Sequence, residues 1–254
     1  MASNPVFHDI LSARRARCAL LEKRYYHDRG WEHPYARLRR EALGQLDPTK
    51  RILEVGCGRD FFEAQRYLGK TRDVWGVDPD FEPGLCPASD SGARIIRGCG
   101  ADLPFADRSF DVIVCRSVIE HLPEPQPFFS EMARTLRPGG ALLCLTPNRY
   151  DYVSIAAHLA PNRWHTPIVR FMEGRDEGHT YPTYYRANSE RAIRKLASAT
   201  GLRVQQFERL NHNPSYLTFS PLLYRLGIAY DRVITSTPRL AWLRAWLFVE
   251  LCRD

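Results

Sequence analysis

The sequence predicts an α/β protein built on a doubly wound, mostly parallel sheet. Three observations carry this. Short apolar runs alternate with amphipathic stretches between positions 50 and 150. Two of the runs, "FDVIVC" and "GALLCLT", are almost continuously apolar, as strands buried on both faces of a parallel sheet are. The first run, "ILEVGCGRD", ends in a glycine loop of the kind that lets backbone approach a nucleotide.

The elements follow in order. Residues 5 to 46 read as helix with polar breaks, because "ILSARRARCALLEKRYY" spaces its apolar residues helically between arginines. "RILEV", "DVWGV" and the weaker "ARIIRG" read as the first three strands, followed by "FDVIVC" and "GALLCLT". "PQPFFSEMARTLRPGG" is expected to be a helix closed by Pro138, Gly139 and Gly140, the two glycines acting as turn residues. After Thr146 the rhythm breaks into a long aromatic, proline-rich segment. A helix then starts at the cap residue Ser189 and stops at Gly201. "LRVQQFERL" is a strand, an apolar stretch runs from Ser220 to Leu243, and "AWLFVELCRD" is a final strand. No repeat or linker appears, so a single domain over 1–254 is expected. Its parts are an N-terminal helical cap (1–48), a binding core (49–150), a lid and acceptor segment (151–188) and the C-terminal half of the sheet (189–254) with an apolar helical insertion at 220–243.

Composition narrows the class. The chain has 254 residues, 44% of them hydrophobic and 26% charged, which supports a packed core. Net charge is +7, and the first fifty residues hold ten Lys and Arg against six Asp and Glu. That balance is compatible with an anionic ligand, a membrane surface, nucleic acid or a merely solvated basic face. Seven cysteines are scattered without a C-x-x-C pair, which reads as reduced cytosolic thiols and neither a disulfide frame nor a metal site. The first residues lack a long apolar run and carry Arg14, Arg15 and Arg17, so no signal peptide is expected, and no stretch reaches the length of a membrane span.

Four strand ends carry chemistry, at the edge of the sheet where such folds bind ligands. At the first, Gly56-Cys57-Gly58 removes side-chain bulk, while Glu54 offers a carboxylate that would repel a pyrophosphate and attract an ammonium. A dinucleotide fingerprint would need glycine at position 61, where Phe61 stands. At the second, Asp78 follows Gly58 by twenty residues and suits two ribose hydroxyls. At the third, "GCGADLPFADRSFD" supplies Asp102, able to accept from an adenine amino group. At the fourth, "CRSVIEHL" follows a buried strand. An ammonium, a ribose and an adenine without a phosphate cradle describe S-adenosylmethionine.

"ILEVGCG", "VDPD", "ADLPFADRSFDVIVCRSVIEHL" and "LRPGGALLCLTPN" resemble the motifs of class I SAM-dependent methyltransferases, in particular the type 11, quinone-biosynthesis-like group. The resemblance covers residues 50 to 150 and continues weakly to the end through "TYYRAN". It implies a Rossmann-like seven-stranded sheet whose last strand is antiparallel, with SAM as cofactor and S-adenosylhomocysteine (SAH) as product. By the same resemblance, Glu54, Gly56, Cys57 and Gly58 line the methionine and ribose side. Asp78 and Pro79 serve the ribose, Ala101, Asp102 and Leu103 frame the adenine, and Arg116 and Ser117 lie by the methionine and the methyl. Asp60 departs from the glycine that many members carry there, and is expected to cap the following helix.

Methyl transfer from a sulfonium is a direct displacement, so positioning contributes most and a general base adds about 10²–10⁴-fold. His121 and His179 are the candidate bases, His121 having an alternative role as support for the helix after the fourth strand. The segment "DEGHTYPTYYRAN" groups His179, Tyr181, Tyr184, Tyr185, Arg186 and Asn188, which suits acceptor recognition or a lid packed by its own tyrosines. Arg163, Arg170, Arg175 and Arg186 would suit an anionic acceptor. The expected reaction is O-methylation of a small-molecule, glycan- or lipid-linked acceptor. Methylation of a quinone or phenol precursor at carbon or oxygen, or a non-catalytic SAM-binding subunit, is the alternative. Segment 220–243 reads as a peripheral membrane contact, a homodimer face or a helical pair on the sheet. Nucleic acid is not expected as substrate, since no base-handling motif is present; Thr146-Pro147-Asn148 is the nearest sequence. No metal ligands are expected. The expected location is cytoplasmic, with a membrane-peripheral alternative.

Overall fold

The computed structural model describes residues 5–58, 64–71, 73–82, 92–159 and 181–254. Seven strands form one sheet in the order β3-β2-β1-β4-β5-β7-β6. They are β1 (Arg51–Val55), β2 (Asp73–Asp78), β3 (Arg94–Arg97), β4 (Phe110–Arg116), β5 (Leu136–Pro147), β6 (Leu202–Leu210) and β7 (Trp246–Arg253). The first five pair in parallel, and the last strand is antiparallel. The order reverses between β1 and β4, which places a crevice at the carboxyl ends of those strands. The fold class predicted from sequence is therefore observed.

Among the described residues, six α-helices accompany the strands: α1 (Pro5–Tyr25), α2 (Pro34–Gly44), α3 (Pro125–Thr135), α4 (Tyr152–Leu159), α5 (Glu190–Ala199) and α6 (Pro221–Ser236). They belong to two compact units. One comprises Tyr35–Pro147, Thr183–Glu208 and Leu247–Asp254, and holds the sheet. The other comprises Met1–Pro34, Asn148–Pro182 and Arg209–Trp246, and its described elements are largely helical.

In the sheet unit, residues 112–115 of β4 and 141–146 of β5 are all buried, as their continuous apolar runs require. Helix α3 starts with Pro125 in its first turn and buries Phe128, Phe129, Met132 and Ala133, which recur on one helical face. Each fully buried phenylalanine contributes about 1.5–3 kcal/mol of transfer free energy. The sequence expectation that Pro138-Gly139-Gly140 closes this helix is corrected. The helix ends at Thr135, and those residues lie inside β5. The register jumps there, from Phe110 opposite Leu136 to Val112 opposite Ala141. The extra residues form a bulge: Pro138 has no N–H for the ladder, and Gly139 takes a φ of 75°. A Cβ on Gly140 would stand 2.9 Å from the Arg137 carbonyl and 3.0 Å from that of Asp111. Arg253 on β7 closes the end of α3, its Nη1 donating to the carbonyls of Arg134 and Leu136 at 2.8 and 2.6 Å.

In the helical unit, Cys18, Tyr26, Tyr224 and Ile228 form a core with Leu21, Tyr25, Trp31 and Leu217 around them. Helix α6 is capped by Ser220, has Pro221 in its first turn and turns Tyr224, Gly227, Ile228 and Ile234 inward. Gly227 is required by close approach, since a Cβ would meet Pro214 at 2.5 Å. Asn148 ties two segments of this unit together. Its Nδ2 donates to the carbonyls of Trp242 and Arg244, both at 2.7 Å, and its Oδ1 accepts from the Tyr150 N–H at 3.2 Å. With Asn148 1% exposed, Asn148→Ala is expected to cost about 1–3 kcal/mol, read from urea denaturation, because two part-buried carbonyls lose their donor. A cost below the scatter of surface substitutions would contradict this reading.

Candidate functional site at the carboxyl ends of β1, β2 and β4

The loop after β1 is shaped by backbone. Gly56 and Gly58 adopt φ of 75° and 73°, which L side chains rarely take. A Cβ on Gly56 would also fall 2.2 Å from Val118 Cγ2. The Gly56 N–H donates to the Val77 carbonyl at 2.8 Å, and the Gly58 N–H to Asp78 Oδ2 at 2.9 Å. The other oxygen, Oδ1, accepts from the Asp80 N–H at 2.9 Å. Asp78 is thus held by two backbone donors at the end of β2. Two carboxylate oxygens offer about four acceptor sites, so capacity for two hydroxyls remains. Glu54 sits within β1 between Gly76 and Val114, 2% exposed. A carboxylate buried to that degree suits a cationic ligand group. Cys57 is buried and Pro79 exposed. These residues fit the ammonium and ribose of SAM.

Ala101, Asp102 and Leu103 lie in the loop after β3. Asp102 is exposed, Ala101 half-buried, and Leu103 packs in the core. Helix α3 holds this loop. Glu131 Oε2 accepts from the Leu103 N–H at 2.8 Å. Arg134 donates to the carbonyls of Phe105 and Leu103 at 2.7 and 3.1 Å and pairs with Glu131 and Asp107. Sequence reasoning did not find Glu131 and Arg134 as supports; their i,i+3 spacing was the available signal.

Arg116, the last residue of β4, and Ser117 after it are half-buried, and Ser117 takes a φ of 54°. That is an unusual conformation for serine, and such positions cluster at functional sites. Tyr35 from α2 lies over this turn, its hydroxyl 3.5 Å from Ser117 Oγ and its ring 4.7 Å from the Arg116 guanidinium. Nothing in the sequence linked Tyr35 to this strand end.

The turn continues into Ile119, Glu120 and His121. Glu120 is 4% exposed and its Oε2 accepts from the Thr146 hydroxyl at 3.0 Å. Asn188 Nδ2 donates to Thr146 Oγ1 at 2.6 Å and to the Pro147 carbonyl at 2.9 Å. The N–H groups of Tyr184 and Tyr185 donate to the Glu120 carbonyl at 2.7 and 3.2 Å. His121 Nε2 stands 4.0 Å from Glu120 Oε1. Asn188, grouped in the sequence with acceptor-facing residues, is fully buried and braces Thr146. Arg186 is exposed and borders a cleft of about 600 Å³ with Pro123, Pro125, Pro127 and Leu196, whose lining includes neither Glu54 nor Asp78. His179, His165, Asp60, Phe61, Arg163, Arg170 and Arg175 lie outside the described residues. Among the described residues, no group of three His, Cys, Asp or Glu could hold a metal.

Burial pushes the Glu120 carboxyl up from 4.5 to about 7, against the lowering effect of its hydrogen bonds. The folded state therefore binds this proton more tightly than the unfolded chain. Its contribution to stability is fully present below 4.5 and is lost as pH rises through about 7. Glu120→Gln removes that loss, so the variant is expected to gain about 1–3 kcal/mol on the wild type at pH 8 relative to pH 5. Parallel stability curves for the two proteins would contradict the buried-acid account.

Comparison with known proteins identifies the family. Residues 25–206 match the family described as Methyltransferase domain. An uncharacterized methyltransferase of Mycobacterium sp. (strain KMS) is 41% identical over 213 residues, covering 78% of this chain and 81% of that one. A probable S-adenosylmethionine-dependent methyltransferase of Mycolicibacterium smegmatis is 38% identical over 144 residues, 56% of this chain and 53% of that one. Against an uncharacterized methyltransferase of Mycobacterium sp. (strain JLS), 41% identical, the match spans 39% of this chain and 40% of the relative's length. Among solved structures, geranyl diphosphate C-methyltransferase from Streptomyces coelicolor A3(2), in complex with Mg²⁺, geranyl diphosphate and SAH, shares the fold with a TM-score of 0.53 at 19% identity, over 87% of this chain and 78% of that one. The chain belongs to the SAM-dependent methyltransferase family.

Proposed function

We propose that this methyltransferase acts on an oxygen atom of a small-molecule, glycan- or lipid-linked acceptor, with His121 taking the hydroxyl proton. The observation behind this reading is the His121 Nε2 to Glu120 Oε1 approach of 4.0 Å, with Glu120 buried and held by Thr146. Above about pH 7, where the buried Glu120 is ionised, its carboxylate stabilises the imidazolium that proton transfer creates. Oxygen acceptors gain most from such a base, since a hydroxyl must lose its proton as it is alkylated.

SAM supplies an electrophilic methyl group on a sulfonium. In the proposed arrangement Glu54 faces the ammonium, the Gly56–Gly58 backbone lies along the cofactor and Asp78 accepts the ribose hydroxyls, with Pro79 beside it. Ala101, Asp102 and Leu103 frame the adenine, and Arg116 and Ser117 border the methionine end. The Tyr35 ring lies over Arg116 on that side, 4.7 Å from its guanidinium. His179 keeps its role as the alternative base.

The test is transfer of labelled methyl from SAM to a panel of sugars, phenols and lipid-linked glycans, with the label located on oxygen or carbon. Label on oxygen is expected, and His121→Ala is expected to lower kcat about 10²–10⁴-fold with SAH affinity kept. Label on carbon, or full turnover by the variant, would overturn the proposal. Gly56→Ala is expected to abolish SAH binding, because its Cβ would overlap Val118 and its φ is strained. Wild-type affinity in that variant would remove the glycine loop from the cofactor site.

A further inference from the structure

Ten of the eleven large hydrophobic side chains that stand exposed among the described residues belong to the helical unit; Tyr184 alone belongs to the sheet unit. Four of the ten are on α6: Leu222, Leu223, Leu226 and Val233, at 69%, 38%, 58% and 53% exposure. Leu222, Leu226, Ala229 and Val233 recur at helical spacing and make one stripe. It faces away from Tyr224, Gly227, Ile228 and Ile234, which the helix buries. Trp242, 48% exposed in the short helix Pro238–Leu243, packs edge-to-face on the exposed Tyr150 at 5.7 Å.

Charge follows the same division. The segments of the helical unit hold 15 Lys and Arg against 9 Asp and Glu, whereas those of the sheet unit hold 21 against 20. The smaller unit thus carries +6 of the chain's +7. Arg225 and Arg232, seven residues apart, form an exposed shoulder beside the α6 stripe, with Arg239 exposed further on. Asp231, the acid of α6, is half-buried on the inner side, near Tyr26.

We propose that the α6 face of the helical unit docks on an anionic lipid surface. The aliphatic stripe enters the boundary between headgroups and acyl chains, the arginine shoulder meets lipid phosphates, and Trp242 and Tyr150 sit at headgroup level. Helix α6 has 16 residues, and none of the described helices is long and apolar enough to cross a membrane, so this helix lies in the interface plane. A second copy is the poorer occupant, because isologous pairing would bring two units of +6 face to face. Docking needs neither cofactor nor acceptor, so its test stands apart from the methyl-transfer reading.

The experiment is flotation of the full chain with phosphatidylcholine vesicles, with and without phosphatidylglycerol, at low and high salt. Binding is expected with the phosphatidylglycerol vesicles and is expected to fall as salt screens the arginines. Leu226→Asp is expected to weaken it about tenfold or more, with an unchanged melting curve, and the double variant Arg225→Gln/Arg232→Gln by a similar factor. The proposal is overturned if the wild type stays in the soluble fraction at low salt, if Leu226→Asp floats like the wild type, or if pure phosphatidylcholine binds as well. A concentration-dependent dimer that Leu226→Asp abolishes, without vesicle binding, would assign the face to a second copy.

Discussion

The hydrogen bond from the Gly58 N–H to the Asp78 carboxylate, 2.9 Å long, is the contact on which the site depends. It joins the loop after β1 to the end of the neighbouring parallel strand β2, beside the β1–β4 boundary where the strand order reverses. The loop can reach Asp78 only by turning twice through positive φ, at Gly56 and Gly58. Asp78 is fixed in return by a second backbone donor, Asp80. The acidic, phosphate-averse character of the crevice follows from Glu54 on β1, opposite Gly76, and from Asp78, two residues further along β2. That character separates a sulfonium nucleoside site from a dinucleotide site on the same kind of sheet.

A second constraint runs through the sheet at β4 and β5. Glu120, Thr146 and Asn188 form a chain of buried polar groups that joins the strand ends to the segment before α5. Burying an acid there disfavours its charged form, and the structure accepts that cost at the strand end where the methyl group would be transferred. Such placement separates this carboxyl from the solvated ion pairs of the surface, for example Arg194 with Glu190, which contribute little.

Much of the sheet was legible in the sequence, because strands buried on both faces need uninterrupted apolar runs and each run ends at a turn residue. Asp78 was legible because its distance from Gly58 is set by one strand–helix–strand unit. The ends of α3 and β5 were not, because Pro-Gly-Gly serves equally as a helix stop and as a strand bulge; the β4 register decides between them. Tyr35, Glu120, Thr146 and Asn188 were not legible as partners, since contacts across 26 to 82 residues leave no periodic trace. The helical unit was hidden for the same reason: it gathers three separate segments, each of which reads alone as an addition to the sheet.

The central claim is that the β1 loop and Asp78 form a site for SAM, and it can be tested without knowing the acceptor. The most direct measurement is calorimetric titration of the protein with SAM, SAH and NAD, beside the Asp78→Ala variant. The account predicts that SAM and SAH bind, that NAD does not, and that the variant loses affinity by the about 1.5–3 kcal/mol that a charged hydrogen bond contributes, or more as the loop loosens. Binding of NAD, or undiminished SAH affinity in Asp78→Ala, would contradict it.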